Sequence, residues 1–145
     1  MSNQFREMRF GRTRLLALCL VMLTAAACDQ LPGDQFMSTV VERHKSGQKS
    51  VRLGDLTTFK WDRVCYYSPY SASKAHGINN LEREWVLLFF KGGKVVGRTK
   101  GDRAKVEIVM GGGAKGNPPC FLPTRTGVLH TERKIPHLTL TDPIK

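Results

Sequence analysis

Four histidines, His44, His76, His130 and His137, are the first residues to weigh for chemistry. Near neutral pH an imidazole can serve as general base, proton shuttle or metal ligand. None stands at a ligand spacing such as HxxxH and no cysteine pair joins them, so no zinc site is expected. Ser68, Ser71 and Ser73 share a stretch with His76, and Asp62 is near in sequence, an inventory that could supply a nucleophile, a base and an orienting carboxylate. The GxSxG turn that exposes such a serine is missing. Glu82 and Glu84 offer two carboxylates, as glycoside hydrolysis requires. At i, i+2 before an apolar run they read instead as flanks of a buried strand. Residues 111–116, GGGAKG, are glycine-rich like a phosphate cradle but lack the closing GKS or GKT. No catalytic residue, metal or cofactor emerges, and the expectation is a protein without enzymatic activity.

The cysteines carry more. Arg9, Arg12 and Arg14 precede an apolar stretch, residues 15–23, that ends in Ala25-Ala26-Ala27-Cys28. A basic segment, a short apolar segment and small residues ahead of one cysteine resemble the export signal of bacterial lipoproteins. That resemblance implies cleavage before Cys28, fatty acylation (palmitate-type) of Cys28, and a protein held on a membrane facing the periplasm. Ala25 stands where the pattern usually has Leu, and Ala25-x-Ala27 also satisfies ordinary signal cleavage, which would release a soluble periplasmic protein. The apolar stretch is shorter than the roughly 20 residues that cross a bilayer. Asp29 resembles the inner-membrane retention signal of enterobacterial lipoproteins, so the inner membrane is preferred. The expected organisation is a signal over 1–27, a tether over 28–33 and one globular domain over 34–145.

Removing the signal removes Cys19 and leaves Cys28, Cys65 and Cys120, an odd number. A lipid on Cys28 frees the other two to pair, and an oxidising compartment favours a Cys65–Cys120 disulfide. The chain-entropy argument gives such a bond about 3 to 4 kcal/mol. Two buried free thiols are the alternative.

Charge points to an anionic partner. The whole chain carries a formal charge of +11. Residues 1–27 contribute four arginines and one glutamate, so the rest keeps 19 basic against 11 acidic residues, a net +8. Lys91, Lys94, Arg98, Lys100, Arg103 and Lys105 crowd into fifteen residues. Export makes nucleic acid a poor partner, and anionic lipid, glycan or an acidic protein a better one. Charge-rich hairpins are also ordinary solvated faces that discourage edge pairing.

These residues need a scaffold, which periodicity supplies. Phe36, Met37, Val40, Val41 and His44 share one face of a helix over 35–46, with Asp34 as its cap and Gly47 beyond its end. Strands follow: Val51 and Leu53 alternate with Arg52, and 59–67 places Phe59, Trp61, Arg63, Cys65 and Tyr67 on one face. Residues 84–90 are nearly all apolar and read as a central strand buried on both sides. Lys91-Gly92-Gly93-Lys94 reads as a hairpin turn. Further strands are expected over 104–110 and, at an edge, 128–133, separated by a Gly-Pro loop over 111–123. The fold class is α+β, a short N-terminal helix packed on a mostly antiparallel sheet.

The segment from Phe59 to Tyr70, FKWDRVCYYSPY, resembles small bacterial envelope lipoproteins of uncharacterised function. The resemblance covers about a dozen residues plus the signal, and it implies a similar domain without implying an activity. Asp62 and Arg63 point to opposite faces of a strand, so Arg63 is expected to pair with Glu82, Glu84 or Glu107. The functional expectation is a membrane-tethered binding or envelope-maintenance module. The alternative is an inhibitor or immunity lipoprotein acting on a cell-wall hydrolase or toxin, for which an acidic target suits the charge.

Overall fold

The computed structural model describes residues 32–111 and 118–144. The proposed signal, Cys28 and the start of the tether lie outside the described residues, as does most of the glycine-rich loop, residues 112–117.

Helix α1, Asp34–Lys45, buries Phe36 and Val40, one turn apart, with Met37 and Val41 packed beside them. Asp34 does not cap it. The cap position is Gly33, no side chain bonds there, and Asp34 is the first helical residue, where a carboxylate suits the positive end of the helix dipole. Gly33 is required by space: a Cβ would collide with the Arg98 carbonyl. At the far end Gly47 takes φ 75°, and the amides of Gly47 and Gln48 donate to His44 and Arg43 carbonyls, closing the helix in a Schellman motif.

Ten strands follow among the described residues: β1 Ser50–Arg52, β2 Arg63–Tyr67, β3 Ala72–Ser73, β4 Ile78–Asn79, β5 Glu84–Lys91, β6 Lys94–Asp102, β7 Glu107–Met110, β8 Cys120–Phe121, β9 Thr126–Leu129 and β10 His137–Leu140. The protein is α+β and mostly antiparallel, but the strands form two four-stranded sheets and a small ribbon where one sheet was expected. The first sheet runs β1-β9-β10-β7, its last pair parallel. The second runs β6-β5-β2-β8, and β3 pairs with β4.

Three strand boundaries depart from periodicity. The strand expected over 59–67 begins only at Arg63, because the chain bends before it, where the Trp61 indole donates to Thr57 Oγ1 at 2.8 Å. Phe59 and Trp61 thereby pack on Phe89, with centroids 5.2 and 5.3 Å away, instead of sharing a face with Cys65 and Tyr67. The strand expected from Ala104 begins at Glu107, since Asp102 Oδ1 accepts the Ala104 amide and turns the chain. The edge strand expected over 128–133 is instead β9, Thr126–Leu129, which shares only Val128 and Leu129 with that range and is internal, because β10 pairs on its far side.

Alternation on β2 and β5 separates two cores. Val64, Tyr66, Trp85, Leu87 and Phe89 face the main core with α1 and the apolar side of the first sheet, Ile108, Leu129, Leu138 and Leu140. Trp85 Nε1 and the Tyr66 hydroxyl donate to the carbonyls of Val106 and Ile108, so each buried polar tip finds a partner in the other layer. Burial pushes the Tyr66 hydroxyl pKa up to about 12. The opposite face carries a smaller core of Cys65, Tyr67, Val86, Leu88 and Phe90, covered by Ile78 from the ribbon. Cys65 and Cys120 stand directly across β2 and β8, Cα atoms 4.0 Å apart, and are joined by a disulfide.

Candidate functional site

Strand β6 carries the basic cluster. It is an edge strand joined to β5 by a two-residue turn in which Gly92 and Gly93 take φ 55° and 78°, and Lys91 stands opposite Lys94. Nine residues of strand put Lys94 and Asp102 about 26 Å apart. The six cations are therefore spread along the strand and beyond both its ends, with Arg98 and Lys100 on the face of the smaller core, where Arg98 Nη2 donates to the Gly77 carbonyl at 3.5 Å. Two are neutralised: Lys100 Nζ lies 2.7 Å from Glu84 Oε1, and Arg103 Nη2 lies 2.6 Å from Glu107 Oε1. The hydrogen bond from Lys100, helped by the Leu81 amide, holds the Glu84 carboxyl below the usual range, and Arg103 does the same for Glu107. Among the described residues Lys91, Lys94, Arg98 and Lys105 have no carboxylate within ion-pair distance.

The free edge of β6 is where the tether arrives. The Arg98 amide donates to the Pro32 carbonyl at 3.0 Å, and Thr99 Oγ1 donates to the Gly33 carbonyl at 2.5 Å. Gly97 permits this approach, since a Cβ there would meet the Pro32 carbonyl and the Phe59 ring. The contact satisfies part of an exposed edge. It also sets Pro32 and Gly33, the end of the expected tether, beside Arg98 and Thr99, a relation no local pattern encodes.

Arg63 corrects an expectation. It pairs with none of the three glutamates: its guanidinium lies over the Phe90 ring at 4.8 Å, and its buried Nε has no hydrogen-bond partner among the described residues. Asp62 accepts the Gly92 amide at 2.7 Å and so braces the hairpin turn.

The histidines separate by location. His44 Nε2 contacts the Arg133 carbonyl at 3.1 Å. His130 and His137 stack edge to face at 4.9 Å on the outer face of the first sheet. Their outer nitrogens meet Glu132, at 3.2 Å from His130, and Glu107, at 3.1 Å from His137. His137 Nδ1 is close to that carboxylate but off the hydrogen-bond direction. Burial outweighs the neighbouring charge and lowers the His137 pKa, so the ring is neutral at neutral pH. Among the described residues no three His, Cys, Asp or Glu side chains converge as a metal site.

His76 and the serines do come together. Ser68, Ser71, Ser73 and His76 line one open cavity of about 540 Å³ with Tyr70. Ser68 Oγ and Ser71 Oγ are 2.9 Å apart. His76 packs against Tyr67 and Phe90 at 6.4 and 5.7 Å, with no hydrogen bond to a serine, and Asp62 is engaged at the hairpin turn instead. No nucleophile-base-carboxylate chain is assembled. Sequence reasoning grouped these residues by proximity alone. It missed Tyr70, whose only local signal is the preceding Pro69. A second groove, of about 720 Å³, lies between Met37 and Leu81, with the Glu84–Lys100 ion pair on its rim.

No family model, curated protein or solved structure matches this chain.

Proposed function

We propose that this protein is an exported envelope module, anchored through a lipid on Cys28, that acts by binding and turns the edge strand β6 toward an anionic surface. The supporting observation is the docking of Pro32 and Gly33 along β6. Pro32 is four residues from Cys28, a span of at most about 14 Å of extended chain. A lipid on Cys28 would therefore hold Arg98, with Lys94 and Lys91 further along the strand, close to the head groups. The Cys65–Cys120 disulfide supports the same reading, because it leaves Cys28 as the odd cysteine downstream of the signal-like segment. The expected site of action is the periplasmic side of the inner membrane.

Two measurements test this. Intact mass of the protein extracted from membranes should show a diacyl or triacyl increment on Cys28 and a gain of two hydrogens on reduction; an unlipidated, soluble protein refutes the anchor. Sedimentation with vesicles containing anionic lipid tests the surface. At about 1 kcal/mol per basic side chain, or roughly fivefold, K91Q/K94Q/R98Q should weaken partitioning by roughly a hundredfold. Equal partitioning of the variant, or no dependence on anionic lipid, refutes that orientation.

A further inference from the structure

Between β2 and β5 the chain makes an excursion, residues 68–83, that is fixed from beneath. Buried Asn80 donates through Nδ2 to the carbonyls of Tyr67 and Ser68, both at 2.9 Å, and its amide donates to Ser71. Ile78 fills the smaller core, and the β3–β4 ribbon closes around a turn at Gly77, φ 59°. The cavity above is lined by hydroxyls, one imidazole and the apolar Pro69, Ala72 and Pro118, and among the described residues no carboxylate, ammonium or guanidinium stands on its wall. His76 is oriented by the two aromatic rings it touches. A volume of about 540 Å³ lies within the range of small-ligand sites, roughly 300 to 1,000 Å³.

At the rim stands Tyr70. It is 72% exposed and its backbone takes φ 63°, a left-handed conformation that a bulky residue adopts only under strain. Neither burial nor local geometry explains an aromatic ring there, since glycine would relax the turn. A rigid aromatic beside rotatable hydroxyls and an imidazole is, however, an economical recognition surface: tyrosine supplies contact area at small entropy cost, while serine hydroxyls both donate and accept.

We infer that this cavity is a carbohydrate site that takes uncharged pyranose units of an envelope glycan. A pyranose ring has an apolar C–H face and a rim of hydroxyls. The Tyr70 ring receives the first, and Ser68, Ser71, Ser73 and His76 hydrogen-bond the second. An uncharged wall suits a neutral ligand and makes binding insensitive to salt, unlike contacts made by β6. The choice of an envelope glycan rests on the exported location proposed above, whereas the recognition chemistry does not.

The test uses the full chain with two probes, tetra-N-acetylchitotetraose in titration calorimetry and isolated peptidoglycan in co-sedimentation, at 50 and 500 mM salt. Saturable binding of the uncharged tetrasaccharide that changes less than about threefold with salt is expected, together with binding to peptidoglycan that persists at 500 mM salt, where contacts made by β6 are screened. Tyr70→Ala should lose at least tenfold and Tyr70→Phe should stay within about threefold. Tyr70→Gly decides between recognition and folding, because it should raise the denaturation midpoint while abolishing binding. A Cys28→Ala protein should still bind the tetrasaccharide, so failure of the anchor and failure of this site are separately visible. The inference is overturned if neither probe binds, if Tyr70→Gly binds like the parent, or if the Tyr70 surface captures a protein and no glycan.

Discussion

Replacing both bridge cysteines, Cys65→Ala with Cys120→Ala, probes how a two-residue strand is held in a sheet. β8 consists only of Cys120 and Phe121 and pairs on one side, with β2. Apart from that pairing, the Pro119 carbonyl accepts the Tyr66 amide and the Cys120 carbonyl accepts the Ile144 amide. The disulfide spans 55 residues of sequence. For a loop of that length the chain-entropy expression gives roughly 14 cal/mol/K, or about 4 kcal/mol at 25 °C. A domain of this size has about 5 to 15 kcal/mol in all, so the double variant should remain folded but marginal. With a urea slope of about 1.5 kcal/mol per molar, the midpoint should fall by roughly 2.5 M. Urea denaturation followed by tryptophan fluorescence reads this directly, since Trp61 and Trp85 are both buried. Reduction of the unmodified protein should reproduce the shift. A fall below about 0.5 M, or two titratable thiols in the unreduced protein, would refute the reasoning.

Gly101→Ala should destabilise by about 1 to 3 kcal/mol, because a Cβ there would overlap the fully buried Trp85 ring; thermal denaturation and the near-ultraviolet circular dichroism of tryptophan would register it, and an unchanged midpoint would contradict the packing. Acid should destabilise in two stages. His137 has its pKa lowered in the fold, so between its ordinary value of 6.5 and that lower value the unfolded chain binds the extra proton and stability falls as pH falls. Glu107 is lowered from 4.5, and its contribution, present above 4.5, is lost as pH drops through its folded value. His137→Gln should flatten the first stage and leave most of the second, because the hydrogen bond from Arg103 is the main cause of the low Glu107 value and the His137 charge a smaller one; stability measured from pH 7 to 3 will show this.

Much of the scaffold is legible locally. Phe36 and Val40 one turn apart announce α1, and two glycines between apolar strands announce the hairpin, because helical and left-handed geometries leave their mark within a few residues. The run from Trp85 to Phe90 declares a strand buried on both faces, and the expected pairing of Cys65 with Cys120 is present as a disulfide. Short strands escape such reading. β10 has only four residues, between Pro136 and Pro143, and its value lies in pairing with both β9 and β7. Missing it turned an internal strand into an edge and two sheets into one.

The amino-acid order by itself determined the helix, the turn and the buried strand, since each depends on neighbours in the chain, and it made the disulfide an expectation that the β2–β8 pairing fulfils. Tertiary structure alone decided where charge and polarity act. It matched Lys100 with Glu84 and Arg103 with Glu107, laid Arg63 over Phe90, set Pro32 against β6, and raised Tyr70 beside three serines and a histidine. Ion pairing and cavity walls depend on distances of a few ångströms between residues far apart in sequence, and only the packed sheets bring those distances into being.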